Sequence, residues 1–64
     1  MDQLAYSVDE FCRLHRISRA SLYNYWATGV GPVTMSVGSR RLISAEAAEK
    51  WRREREAAAA EKAA

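Results

Sequence analysis

The sequence predicts a single, mainly α-helical domain that carries one small β-hairpin. Three observations support this. Two serine-capped segments with helical periodicity lie two residues apart, an alternating apolar and polar stretch follows them, and a further serine opens a long helical segment. The chain has 64 residues, enough for one domain with a small core. A domain of this size buries only about 60% of the surface that its unfolded chain exposes.

The first helix is expected from Val8 to about His15. Ser7 and Glu10 form a capping box, in which each side chain accepts a hydrogen bond from the backbone amide of the other residue. One side of this helix carries the residues that recur at 3.6-residue spacing and should face the core: Val8, Phe11, Cys12 and His15.

A tight turn at Arg16 and Ile17 separates this helix from a second one. Ser18 is the expected N-cap, the helix covers residues 19–28, and Gly29 ends it. Two short helices joined in this way form a helix-turn-helix pattern. Arg16 stands where such turns often use glycine to reach a left-handed conformation, which should cost about 1 kcal/mol.

The second helix is expected to bury Leu22. Tyr25 and Trp26 lie close to Leu22 in helical projection, so they are predicted to belong to the core. The opposite, exposed side carries Ala20, Tyr23, Asn24 and Ala27. This side is mostly polar and available to a partner.

The hairpin is predicted from residues 33–43. Val33–Val37 alternates as a half-buried strand does, Gly38 and Ser39 provide the turn, and Arg41–Ile43 returns as the second strand.

Ser44 then caps a third helix, with Ala48 and Trp51 facing inward. Pairs such as Glu46/Lys50 and Glu49/Arg53 should support its exposed side. We assign residues 1–56 to one domain and residues 57–64 to an alanine-rich tail that is helical or frayed.

The net charge of +2 is concentrated at one place. Three acidic residues balance three arginines in residues 1–31, and five glutamates balance five basic residues in residues 44–64. The excess is therefore Arg40 and Arg41, at the tip of the hairpin. A cationic point on an otherwise balanced surface indicates a polyanionic partner.

Several function classes find no support in the sequence. The single cysteine, Cys12, gives neither a disulfide nor a zinc motif, and no nucleophile–base pair or carboxylate dyad suggests an enzyme. We expect no cofactor and no catalytic residue. Neither a signal peptide nor an apolar run of membrane-spanning length is visible, so the expected location is the prokaryotic cytoplasm, at the nucleoid.

The order helix, turn, helix, hairpin, helix is that of a small winged helix-turn-helix. From Tyr6 to Trp51 the sequence resembles the excisionase and AlpA-like branch of the MerR-type winged-helix superfamily. The segments that carry this resemblance are "SVDEF", "ISRASLY", the Gly-Pro exit, "VGSRR-LI" and the closing tryptophan. The resemblance implies sequence-specific binding of double-stranded DNA, either to direct a recombinase of a phage or mobile element towards excision or to regulate transcription.

The resemblance and the polar face of the second helix together suggest roles for nine residues. Arg19, Ala20 and Asn24 are expected nearest the base edges in the major groove. Phosphate contacts are expected from Ser18, Ser21 and Tyr23, and the hairpin tip, with Ser39, Arg40 and Arg41, should reach the backbone or the adjacent minor groove.

Alternatives remain open for some of these residues. Arg40 and Arg41 could be a solvated turn that protects a sheet edge, and Arg19 could pair with a nearby acid. Arg52, Arg53 and Arg55 could be an exposed helix face or a further phosphate contact.

The expected partners other than DNA are an integrase or recombinase and further copies of the chain bound cooperatively on adjacent sites. A module that binds only other proteins is the competing class, and the polar second helix argues against it.

Overall fold

A computed structural model describes residues 3–63 of the chain, so Met1, Asp2 and Ala64, which the predicted domain and tail include, lie outside the described residues. The elements in chain order are β1 (Ala5–Ser7), α1 (Val8–His15), α2 (Arg19–Ala27), β2 (Met35–Val37), β3 (Arg40–Ser44) and α3 (Ala45–Ala63). The fold is mainly α-helical, and its element order is that of a winged helix-turn-helix, as predicted. The helix-turn-helix is α1 and α2, and the wing is β2 and β3.

The sheet has three antiparallel strands in the order β1-β3-β2, one strand more than the predicted hairpin. β1 pairs with β3 on the edge away from β2, with Tyr6 opposite Ile43. The prediction of two strands was incomplete because β1 is only three residues long and is a strand only where β3 supplies its hydrogen-bond partners. The predicted strand at Val33–Val37 was too long, since pairing begins at Met35.

Serine side chains cap the helices as the sequence predicts. The Ser7 hydroxyl accepts from the Glu10 amide at 3.1 Å, and the Glu10 carboxylate accepts from the Ser7 amide at 2.9 Å. The bond from the Ser7 amide stabilises the carboxylate and lowers the pKa of Glu10. At the start of α3, Ser44 accepts from the Ala47 amide at 3.0 Å. These caps define where each chain segment enters its helix.

α1 ends in a Schellman motif with an arginine in the left-handed position. Arg16 has φ 56° and ψ 43°, its amide donates to the Arg13 carbonyl, and the Ile17 amide donates to the Cys12 carbonyl at 3.0 Å. α2 ends with the same pair of bonds around Gly29, at φ 80°. The predicted left-handed conformation at Arg16 is therefore confirmed, and this conformation makes the turn between the two helices short.

Arg16→Gly is expected to raise the free energy of unfolding by about 1 kcal/mol, because glycine adopts the left-handed conformation without a Cβ clash. Urea denaturation followed by circular dichroism measures the change. Arg16→Ala is the matched control, since alanine removes the same side chain and keeps the strain. Equal stabilities of the two variants would show that the turn is not strained at this residue.

The core lies between α1, α2, β3 and α3. Its buried residues are Phe11, Cys12, Leu22, Ile43, Ala48 and Trp51. Burial raises the pKa of the Cys12 thiol, which acts as a small apolar residue. Tyr25 and Trp26, predicted for the core, are half-buried instead and pack at its margin, because the helix turns them away from Leu22 on either side.

Two tryptophans hold the connection from α2 to the wing. The Trp51 indole N–H donates to the Val30 carbonyl at 2.8 Å, and the Trp26 indole N–H donates to the Pro32 carbonyl at 2.8 Å. Gly31 lies against Trp26 so closely that a Cβ there would be 2.3 Å from Trp26 Cδ1. This irregular segment is therefore fixed by side chains rather than by backbone pairing.

His15 has a structural role, as expected from its place on the inner side of α1. Its ring stacks on Phe11 with 3.9 Å between centroids, and Nδ1 lies 2.9 Å from the Phe11 carbonyl. Arg52 Nη1 lies 3.0 Å from Nε2. Because a guanidinium can only donate, Nε2 is the acceptor and Nδ1 carries the hydrogen. The contact ties α3 to α1.

Candidate nucleic-acid interface

α2 has one exposed face that no other described element covers. Leu22 on its inner side is fully buried, whereas the outer side is exposed and carries Arg19, Ala20, Tyr23, Asn24 and Ala27. The Asn24 side-chain amide forms no hydrogen bond with another described residue, so its donor and acceptor are both available. A carboxamide on an exposed helix face has the donor and acceptor that can recognise the edge of an adenine.

Arg19 pairs with Asp9 of α1, with 3.0 Å between Nη1 and Oδ1. The nearby Tyr23 side chain and the Asp9 charge both stabilise the guanidinium and raise the pKa of Arg19. The alternative of an acid-paired Arg19 is thus the arrangement in the structure. Both side chains are more than half exposed, at 60% and 74%, and such pairs contribute little to stability. The ion pair with Asp9 therefore positions Arg19 beside α2 but is too weak to keep it there.

The N-terminus of α2 is built around Ser18. Its hydroxyl accepts from the Ser21 amide at 3.0 Å and donates to the Ser21 hydroxyl at 3.0 Å. Ser18 is thereby occupied by the cap, and the Ser21 hydroxyl keeps a free hydrogen to donate. The first turn of α2 contains no acidic residue, so the positive end of the helix dipole is open to an anion.

The wing ends in a two-residue turn, as predicted. Val37 pairs with Arg40, and Gly38 has φ 62°. Ser39 does not have a positive φ, so the turn follows the II′ pattern, which matches the twist of the two strands. The turn leaves Ser39 and Arg40 exposed at the tip.

The two adjacent arginines point to opposite faces of the wing. Side chains alternate along β3, so Arg41 shares a face with the buried Ile43, and Arg40 shares the outer face with Leu42. The Arg41 guanidinium lies over the Trp26 ring, 5.1 Å from its centroid. The cationic point predicted at the tip is thus divided between the two faces of the wing, and neither arginine forms an ion pair with a described acid.

Trp26 joins the wing to the exposed face of α2. Its ring contacts Tyr23 edge to face, with 5.3 Å between centroids, and Arg41 covers it from the wing. Among the predicted residues, Arg41 and those of α2 therefore form one continuous surface, whereas Arg40 points to the other face of the wing. All nine are exposed: Ser18, Arg19, Ala20, Ser21, Tyr23, Asn24, Ser39, Arg40 and Arg41.

A second arginine–aromatic contact lies on the other flank of α2. The Arg55 guanidinium of α3 lies 5.9 Å from the centroid of the Tyr25 ring, and Tyr25 in turn contacts Trp51 edge to face. Sequence patterns did not assign this contact. Its only local signal is that Arg55 follows Trp51 by four residues and so continues the inward side of α3.

Within residues 3–63, no three His, Cys, Asp or Glu side chains are grouped closely enough to hold a metal ion. In the same part of the chain, no helix combines the length and the apolar character needed to cross a bilayer.

In comparisons with known proteins, no protein-family model matches this sequence, and no curated protein or solved structure shows significant similarity to it.

Proposed function

We propose that this protein binds double-stranded DNA in a sequence-specific manner and has no catalytic activity of its own. The observation that carries the proposal is the continuous surface of α2 and the wing, in which a polar helix face adjoins a cationic hairpin through the contact of Arg41 with Trp26. Such a surface offers base-edge donors and acceptors on one element and phosphate-binding cations on the next.

α2 would lie in the major groove, with Asn24, Ala20 and Arg19 nearest the bases. Asn24 can bind adenine through two hydrogen bonds, and Arg19 can bind guanine once it leaves Asp9. Ser21 and the open N-terminus of α2 suit a phosphate, and Ser18 would act by capping the helix. Arg40 and Arg41 would then contact the backbone or the adjacent minor groove.

Within DNA binding, we propose a role in directing excision of a phage or mobile element, as the resemblance of residues 6–51 suggests. Regulation of transcription would use the same surface and is the alternative. In the excision role, a recombinase and neighbouring copies of the chain would be partners. The outer face of the wing offers apolar side chains for such a protein contact, since Met35 and Val37 are 40% and 53% exposed, and Val33, just before β2, is 68% exposed.

The experiment that tests the proposal compares two duplexes across a series of KCl concentrations. One has random sequence, and the other is selected from a randomised pool by repeated binding to the protein. Wild type should bind both with a negative slope of log affinity against log salt, and should prefer the selected duplex. Binding that does not depend on salt, or no binding at micromolar protein, would refute the proposal.

Asn24→Ala is expected to remove most of the preference for the selected duplex, by about 5- to 150-fold, because a bidentate base contact contributes about 1–3 kcal/mol of discrimination. Binding to the random duplex should change little and serves as the internal control. An equal loss on both duplexes would show that Asn24 supports the helix or a phosphate contact and does not read a base.

A further inference from the structure

The inward side of α3 changes character after Trp51. Ala48 and Trp51 are buried in the core. At positions 4, 7, 8 and 11 residues beyond Trp51, the same side of the helix continues with Arg55, Ala58, Ala59 and Lys62. This side of α3 is apolar where it packs on the core. Where α3 extends past the core, the same side is a basic stripe, in which the alanines separate Arg55 from Lys62.

This basic stripe faces a groove beside α2. The groove is lined by Tyr25, Arg55, Ala58, Ala59 and Lys62. Arg55 lies over Tyr25, and its Nε is buried without an acceptor among the described residues. Because Nε is buried, an acceptor from outside the chain would bond the terminal Nη groups, which form no hydrogen bond with a described residue. The alanines leave room for that group to approach the helix.

The charge of the groove is not neutralised by the glutamates of α3. At about 100° of rotation per residue, every glutamate of α3 lies about 100° or more around the helix from Arg55. These glutamates are Glu46, Glu49, Glu54, Glu56 and Glu61. None of them lines the groove. The basic stripe is therefore cationic on its own side, although α3 as a whole is balanced.

The groove lies on the flank of α2 opposite the wing. Tyr25 and Trp26 are consecutive residues and so project about 100° apart around α2, on either side of the buried Leu22. Arg41 covers Trp26 on one flank, and Arg55 covers Tyr25 on the other. The exposed face of α2 is thus bordered by a cation on each side.

We infer that this groove binds a backbone phosphate of the duplex, on the strand across the major groove from the one that the wing contacts. The inference rests on the proposed function, because it assumes that α2 lies in the major groove. Arg55 and Lys62 would supply the donors, and Tyr25 would hold the guanidinium in place. The contact would fix the orientation of α2 without reading sequence.

The test is the slope of log affinity against log KCl on random duplex for Lys62→Gln. Lys62 is exposed, so its replacement leaves the core intact. The slope is expected to shrink by about 0.9, the contribution of one phosphate contact. Lys50→Gln is the matched control, because Lys50 carries the same charge on another side of α3, in the cluster with Glu46 and Arg53, and should leave the slope unchanged. Arg55→Gln should reduce the slope as Lys62→Gln does, and Arg55→Lys should preserve it.

If Lys62→Gln and Lys50→Gln change the slope equally while wild type shows salt-dependent binding to DNA, the groove does not contact the duplex. That result would overturn this inference and leave the proposed function standing. If wild type itself shows no salt-dependent binding, the proposed function fails first. Inorganic phosphate, titrated at constant ionic strength, distinguishes a free-anion site. Weaker phosphate binding by Lys62→Gln together with an unchanged DNA slope would also overturn the inference.

Discussion

Replacing Gly31 with alanine is expected to lower the free energy of unfolding by about 3 kcal/mol, the sum of overpacking and one lost hydrogen bond. The new methyl group would lie 2.3 Å from Trp26 Cδ1 and 2.8 Å from Nε1, so the indole must move. Its bond to the Pro32 carbonyl and its contact with Arg41 would be disturbed together. For 64 residues, total stability is about 3–10 kcal/mol, so the variant would lose between about a third and all of its stability.

Urea denaturation followed by circular dichroism measures this loss, and Gly38→Ala is its control. Gly38 has a positive φ but no atom within 4 Å of an added Cβ, so alanine there should cost only about 1 kcal/mol of backbone strain. In a Trp26→Leu background, Gly31→Ala should become much less costly, because the two sites are in contact. A cost that is the same in both backgrounds would contradict the packing of Trp26 on Gly31.

Arg40→Ala and Arg41→Ala are each expected to reduce the salt slope of DNA binding by about 0.9, and the double variant by about 1.8. At 0.1 M salt, each change corresponds to roughly eightfold weaker binding, and both together to roughly 60-fold, if the slopes converge near 1 M. Arg41→Ala should also lose about 0.5–1 kcal/mol of stability with its cation–π contact. Arg40→Ala should not change stability, because Arg40 lies on the outer face.

Fluorescence anisotropy gives the slopes, and Arg53→Ala is the control for loss of one arginine. Arg53 is exposed on α3 and pairs with Glu49 at 2.8 Å, away from α2 and the wing. If Arg40→Ala and Arg41→Ala have the same salt slope as Arg53→Ala, then Arg40 and Arg41 form a solvated turn. Equal stabilities of Arg40→Ala and Arg41→Ala would contradict their placement on opposite faces.

The local part of this architecture is readable from the sequence. The capping signals act over three residues, so a few neighbouring residues are enough to reveal them. They are Ser7 with Glu10, Ser18 and Ser44. The left-handed Arg16 followed from the short spacing between two helices. Of the predicted pairs on α3, the one between Glu49 and Arg53 is present.

The missed features depend on residues distant in the chain. β1 is a strand only because β3 lies beside it. The sequence left open whether Arg19 pairs with an acid, because its pairing with Asp9 depends on the angle between α1 and α2. The divergence of Arg40 and Arg41 could have been found, since Arg41 is two residues from the apolar Ile43 and must share its face in a strand. The contact of Arg55 with Tyr25 required the position of α3 against α2.

The indole bonds to Val30 and Pro32 have a mechanical consequence. Because Val30 and Pro32, in the middle of the segment between α2 and β2, are bonded to the indoles of Trp51 and Trp26, this connection resists hinging of α2 against the wing. If the protein binds DNA as proposed, α2 and the wing would meet the duplex at a fixed separation. A duplex whose groove width does not match that separation would have to deform to contact both elements, and this deformation costs more for stiff sequences than for flexible ones. Sequence preference could thus arise at base pairs that no side chain touches.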